Sequence, residues 1–314
     1  MVRKRIALVG AGMIGGTLAH LCALKGLGDV ALLDVVDGLP QGKALDLAAA
    51  GPVEGWDVDV KGSNDYADLG DADVCIVTAG VARKPGMSRD DLIGINARII
   101  KTVAEAIVTH APGAFVIVVS NPLDAMVTLM KQLTGFPKQQ VVGMAGVLDS
   151  ARYRRFLAWE LGVSVASVNA MVLGGHGDDM VPIRSHTTVN GIPVAALIAA
   201  DRLAAIEQRV RQAGAEVINL LKTGSAYYSP ASSALQMAEA YLHDRKAVLP
   251  AAAYLEGEYG LRGLYVGVPV QIGAGGVEKV FEIALTPDEK QALEVSASHV
   301  RELVEATGRI LAQA

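Results

Sequence analysis

One histidine of the chain stands where an imidazole could move a proton. His176 lies in "VLGGHGDDMVP", behind an apolar stretch and between glycines that let the backbone bring its ring close to a ligand. An imidazole titrates near neutral pH, which suits general acid/base work. A metal site combining His176 with Asp178 or Asp179 lacks a second histidine at ligand spacing, so no metal is expected. Asp149 and Arg152, in "GVLDSARYRRFLAWELG", are three apart and share a helix face. They read either as an intrahelical ion pair or as separate tools. In the second case Asp149 orients the histidine and Arg152 offers its planar fork to a substrate carboxylate. Arg83 and Arg89 occupy "GVARKPGMSRDD". Two permanent cations on a glycine-containing segment fit a solvated loop or a lid that closes over an anion. Asn121, before Pro122, is either a turn former or an amide aimed at a carbonyl or a cofactor.

A second constellation concerns phosphate. "GAGMIG" places Gly10, Gly12 and Gly15 in a GxGxxG pattern, directly after the apolar run "RIALVG" and at the start of "TLAHLCALKG", which has helical spacing. Small residues let the backbone approach a pyrophosphate, and the helix start offers free N–H groups. Asp34 follows about twenty residues on, where a carboxylate can accept bonds from ribose hydroxyls. No arginine follows it in "LLDVVDGLP" to hold a 2′-phosphate, which favours NAD over NADP. The similar "QIGAGGVEKV" has Glu278 in place of the third glycine and alternates afterwards, so a hairpin turn is expected there.

These groups need a scaffold. "RIALVG", "DVALLDV", "DADVCIVTAG", "GAFVIVVSNP" and "QQVVGMAG" read as short buried strands, with a helix over "NARIIKTVAEAIVTHAP". Strands alternating with helices predict an α/β fold opened by a doubly wound parallel (Rossmann) sheet. Ligands collect beyond the carboxyl ends of such strands. "CIVTAG" runs into the two-arginine segment and "FVIVVS" into Asn121, so both arrive at that edge. Ser88-x-x-Asp91 resembles a capping box that sets Arg89 in the first turn of a helix. From about Gly146 the pattern becomes mixed. A hairpin is expected around Asn190-Gly191, a long helix over "DRLAAIEQRVRQAGAEVINLLKTG", and a closing helix from Thr286-Pro287. The predicted division is a nucleotide-binding part, residues 1–145, and a mixed α+β substrate part, residues 146–314.

Composition removes other classes. A net charge of -5 with scattered basic residues argues against nucleic acid as a partner. Cys22 and Cys75 both lie in apolar contexts and read as buried free thiols of a reducing compartment, hence a cytoplasmic protein. The start combines basic residues with an apolar run, as an export signal does, but its four glycines make a poor signal helix. No stretch is uninterrupted enough for a membrane span.

Taken in order, "GAGMIG", "LLD", "TAGVARKPGMSRDDLIGIN", "VSNPLD", "GVLDSARYR" and "GGHGDDMVP" resemble the lactate/malate dehydrogenase family over nearly the whole chain. More narrowly, they resemble its lactate-dehydrogenase-like bacterial malate dehydrogenases. The resemblance implies reversible hydride transfer between (S)-malate and NAD, giving oxaloacetate and NADH. It makes His176 the acid/base, Asp149 its carboxylate partner and Arg152 the clamp on the substrate carboxylate. Arg89 would polarise the reacting carbonyl, with Asn121 beside it. Arg83 would hold the second carboxylate, where lactate enzymes usually carry glutamine, and Ala226 stands where they tend to carry threonine. Cofactor contacts are implied at Gly10, Gly12, Met13, Ile14, Gly15, Asp34, Thr78, Ala79, Gly80, Asn96, Val119 and Asn121. A homotetramer is expected, with a homodimer as alternative. The competing activities are a lactate or broad 2-hydroxy-acid dehydrogenase and, in another class, a non-catalytic NAD-binding sensor.

Overall fold

The computed structural model describes residues 3–81 and 88–312. Its first half alternates strand and helix: β1 (Arg5–Val9), α1 (Met13–Leu24), β2 (Asp29–Leu33), α2 (Leu39–Glu54), β3 (Val60–Ser63), β4 (Val74–Val77), α3 (Arg89–His110), β5 (Phe115–Val118), α4 (Leu123–Thr134) and β6 (Val141–Gly143). These six strands pair in parallel in the order β3-β2-β1-β4-β5-β6. The strand order reverses between β1 and β4, which opens a crevice at their carboxyl ends. Both faces of the sheet are covered, as the continuous apolar runs require. Along β1, Ile6 and Leu8 enter one buried cluster while Ala7 and Val9 enter another.

The second half comprises α5 (Gly146–Leu161), five two-residue strands, β7 (Val168–Asn169), β8 (Val172–Leu173), β9 (Val181–Pro182), β10 (Thr188–Val189) and β11 (Ile192–Pro193), then α6 (Ala200–Leu221), α7 (Tyr228–Leu242), β12 (Ala247–Glu256), β13 (Arg262–Gly273), β14 (Gly276–Val280) and α8 (Pro287–Ala312). The expected hairpin joins β10 to β11, with Asn190 at φ 49° and Gly191 at φ 87°, the pair of left-handed residues a tight type I′ turn needs. The glycines at 273 and 275 belong to the turn between β13 and β14, as their sequence context indicates. The closing helix starts with a reciprocal cap: Glu289 N–H donates to Thr286 Oγ1 and Thr286 N–H to Glu289 Oε2.

Among the elements that the sequence pattern did not announce, α2, β12 and β13 have a physical reason for escaping it. The helix α2 contains Gly42, Gly51 and Pro52, residues that usually argue against a helix. Gly51 is needed because a Cβ there would stand 2.9 Å from the Trp56 indole nitrogen. The strands β12 and β13 run for ten and twelve residues with prolines facing each other, Pro250 against Pro269. They do not form a separate sheet. Ala252 of β12 pairs antiparallel with Gly143 of β6, extending the parallel sheet to nine strands. The sheet therefore crosses the junction near residue 145, and one buried core runs from Ile6 to Val300.

Cys22 in α1 and Cys75 in β4 are free and fully buried. Burial pushes both thiols up to about 12, which keeps them protonated and unreactive near neutral pH. Among the described residues no helix is long and apolar enough to cross a membrane.

Candidate active site

The glycine segment is built as a cradle. Gly10 leaves β1 at φ 107°, and a Cβ on it would stand 2.7 Å from Thr78 Oγ1. Gly15, in the first turn of α1, packs on Gly10 so closely that a Cβ would meet the Gly10 carbonyl oxygen at 1.8 Å. Gly12 caps α1 without any side chain, and the first turn holds no acidic residue. The N–H groups and positive end of the helix thus stay available to an anion. Beyond the end of β2, Asp34 accepts hydrogen bonds from Ala11 N (2.7 Å) and Val36 N (3.1 Å). A largely apolar cavity of about 380 Å³ opens beside it, lined by Gly10, Gly12, Asp34, Thr78, Ala79 and Gly80. Tyr66, Ile99 and Thr102 also line it and were not expected from the sequence. The acidic rim, the apolar walls and the glycine floor fit a dinucleotide. Gly15→Ala is accordingly expected to weaken NADH binding by at least about tenfold, read by fluorescence titration. Unchanged affinity in a stably folded variant contradicts the cradle.

Other expected cofactor positions differ in kind. Met13 and Ile14 open α1, the first of them 58% exposed. Asn96 is buried, and its amide braces the backbone: Nδ2 donates to Val81 O and Asn121 O, while Oδ1 accepts from Val81 N. Those bonds hold the chain leaving β4 against the chain leaving β5, so the amide acts on the loops themselves. Val119 is buried beyond the end of β5, and Asn121 beyond it is exposed.

The carboxyl edge of the sheet also carries the histidine. His176 Nδ1 lies 2.8 Å from Asp149 Oδ2, and Arg152 Nη1 donates to Asp149 Oδ1 at 3.1 Å. The intrahelical ion pair and the contact of Asp149 with the histidine therefore coexist, one carboxylate oxygen serving each partner. Four elements pin the loop that presents the ring. Gly174 pairs with Gly267 of β13, Gly175 N donates to Ser296 Oγ of α8, and His176 N donates to Asp124 Oδ2 of α4. Asp149 of α5 supplies the fourth anchor. The glycines before the histidine are demanded by packing: a Cβ on Gly175 would stand 2.7 Å from Val300 Cγ2. Gly177 meets nothing within 4 Å and carries no such constraint.

Charge at this centre is balanced against burial. For His176, burial opposes protonation and is the largest single influence. The charge and hydrogen bond of Asp149, aided by the charge of Asp124, outweigh it and raise the ring above its ordinary pKa. Arg152 pulls weakly in the other direction. Asp149 is buried and its two partners are partly so, an arrangement that fixes the ring's tautomer and direction.

Arg89 opens α3, and the expected capping box is formed: Ser88 Oγ accepts from Asp91 N at 3.0 Å, and Asp91 Oδ2 accepts from Ser88 N at 3.1 Å. Arg83 lies outside the described residues. Ala226 is half-buried in the connection between α6 and α7. Among the described residues no group of three or more His, Cys, Asp or Glu side chains is placed to hold a metal. Asp179 instead pairs with His299 at 2.9 Å. The sequence reading missed Asp124 and Ser296, which stand 52 and 121 residues from the loop atoms they hold.

Relatives agree with this architecture. Residues 4–143 match the lactate/malate dehydrogenase NAD binding domain, and residues 146–309 match the lactate/malate dehydrogenase alpha/beta C-terminal domain. The chain is 60% identical to malate dehydrogenase 2 of Anaeromyxobacter dehalogenans over 312 residues, 97% of this chain and 99% of that protein. Among solved structures it resembles malate dehydrogenase of Cryptosporidium parvum (TM-score 0.96, 45% identity, 98% of this chain and 100% of that one). It resembles almost equally the lactate dehydrogenase of the same organism in complex with lactic acid and NAD (TM-score 0.95, 43% identity, 98% and 99%). With both halves matched and the glycine cradle intact, the chain belongs to the lactate/malate dehydrogenase family and takes NAD as its cofactor.

Proposed function

We propose that the chain is a malate dehydrogenase, interconverting (S)-malate and oxaloacetate with NAD. The observation that carries this is the His176–Asp149–Arg152 group at the same sheet edge as the glycine cradle. The 60% identical malate dehydrogenase supports the substrate class. NAD, when bound, supplies the chemistry of accepting or returning a hydride at the substrate's C2.

The residues of the chain do the rest. In malate oxidation, neutral His176 takes the hydroxyl proton on Nε2, and Asp149 stabilises the imidazolium that forms. In oxaloacetate reduction, His176 starts protonated and returns that proton to the carbonyl oxygen. Arg152 clamps the carboxylate next to the reacting carbon through the guanidinium nitrogens that Asp149 leaves free. Arg89 and Asn121 stabilise the polarised carbonyl, and Arg83 holds the distal carboxylate. Ala226 leaves room for the larger diacid. Residues 1–145 hold the cofactor and residues 146–314 supply the histidine and the carboxylate clamp. We assign a cytoplasmic homotetramer, with a homodimer as the alternative that light scattering distinguishes.

Lactate dehydrogenase is the second reading, favoured by the near-equal likeness to solved lactate and malate enzymes. Steady-state assays with oxaloacetate and pyruvate separate the two, and a kcat/KM higher for pyruvate overturns the assignment. Absence of turnover with cofactor and substrate both bound makes the chain an NAD sensor. Asp34 sets a further expectation, because a carboxylate at the cavity rim repels a 2′-phosphate. Asp34→Ser is expected to raise the kcat/KM ratio of NADPH to NADH by about tenfold. A ratio that does not move places the 2′ discrimination elsewhere.

A further inference from the structure

Asp124 is a buried carboxylate that the proton transfer described above does not use. It stands in the first turn of α4, 3% exposed, three residues after Asn121. Its Oδ2 accepts the backbone N–H of His176 at 2.9 Å. Its Oδ1 is the one buried side-chain polar atom left without a hydrogen-bond partner among the described residues. A carboxylate so placed is unfavourable for the fold, since an unpaired buried charge loses its hydration without full compensation. The groups around it are specific. His176 faces it from the loop and Asp149 acts on it from α5, while α8 contributes the uncharged Ser296 and Val300 around Gly175. Arg152 reaches this centre through its effect on His176.

Resting on the assignment of His176 as the proton-transfer group, we propose that Asp124 is a positioning residue that holds the His176 backbone and sets the proton affinity of its ring. Asp149 orients the ring from one side, and Asp124 fixes the peptide that carries it from the other. A second negative charge beside the loop favours the imidazolium and so favours the form that reduces oxaloacetate. The electrostatics agree in direction. Burial pushes Asp124 up to about 6, with Asp149 adding to the shift and the His176 N–H and ring opposing it. The carboxylate is thus ionised at neutral pH, where its charge acts on the imidazole it faces, and is protonated in mild acid.

The test is Asp124→Asn in the full chain, which keeps the size of the side chain and an acceptor for His176 N–H while removing the charge. NMR of labelled histidine, with the His176 signal identified from its absence in His176→Asn, reads the ring directly. Its titration midpoint is expected to fall by about one pH unit. The alkaline limb of oxaloacetate reduction and the acid limb of malate oxidation should move down with it. Reduction above neutrality then declines, while oxidation in mild acid gains relative to its own plateau. A merely structural role lowers both rates without moving either limb. An unmoved NMR midpoint overturns the role of Asp124 and leaves His176 catalysis intact. If the midpoint moves but neither rate limb follows, His176 is not the proton-transfer group and the inference falls with that assignment. Should the variant fail to fold, the wild type still decides. An infrared carboxylic-acid band must disappear near pH 6 together with an inflection in the His176 titration curve, and a curve without that inflection overturns the proposal.

Discussion

His176→Asn is expected to lower kcat for oxaloacetate reduction by about 10³-fold while leaving NADH affinity within about threefold. The asparagine is chosen with the site in mind. Asp149 is buried, and removing its partner outright leaves Oδ2 unsatisfied at a cost of about 1–3 kcal/mol. An asparagine amide can still donate to that oxygen, so the loss reports proton transfer rather than collapse of the site. The backbone bond from residue 176 to Asp124 and the pairing of Gly174 with Gly267 do not involve the ring and should persist. The pH dependence of the native enzyme belongs to the same prediction. Because the folded protein raises the His176 pKa, the protonated form extends to higher pH than for a free imidazole. Reduction of oxaloacetate should hold up to that raised midpoint and fall as pH rises through it. Malate oxidation, which needs the neutral ring, should rise over the same interval. Single-turnover rates across pH 6 to 9 check both limbs, and a variant that retains most of its kcat removes His176 from the chemistry.

Arg83→Gln is expected to lower kcat/KM for oxaloacetate by roughly 10²–10³-fold and to leave pyruvate turnover equal or improved. The magnitude follows from charge. A carboxylate confined without its cationic partner costs about 3–5 kcal/mol when fully buried, or two to three and a half decades. Water that reaches the distal carboxylate brings the loss toward the lower end. A monocarboxylate substrate presents no second charge, so it loses nothing. Selectivity is a difference between two substrates, and the ratio of the two kcat/KM values is therefore the quantity to measure. Equal losses on both would assign Arg83 a general role in closing the site, and the choice between malate and lactate would have to lie elsewhere. Fold cannot make that choice, because solved malate and lactate enzymes match this chain almost equally well.

Much of this chemistry is legible along the chain where it depends on neighbours in sequence. The glycines at 10, 12 and 15 are readable because a strand, a tight turn and a helix start are local events with local residue requirements. Asp149 and Arg152 sit one helical turn apart, and the capping box at Ser88 and Asp91 is a four-residue motif. The hairpins at Asn190-Gly191 and at residues 273–276 are read from two-residue turns. The helix α2 was not legible, since Gly42, Gly51 and Pro52 all run against helix propensity, and Gly51 answers to the packing of Trp56 instead. The long strands β12 and β13 were hidden by prolines that sit opposite one another.

The sequence by itself determined the parts: a parallel nucleotide-binding sheet, a histidine flanked by glycines, and a pair of arginines on the segment that follows β4. Periodicity and turn chemistry act over a few residues, so they are written in the order of the chain. Only the tertiary structure decided that Asp149 divides its carboxylate between His176 and Arg152, that Asp124 holds the same loop from a different helix, and that the sheet continues through β12. Those contacts join residues 27, 52 and 109 positions apart. Such pairings are set by how packed layers meet, and no local pattern encodes which side chain arrives on the other side.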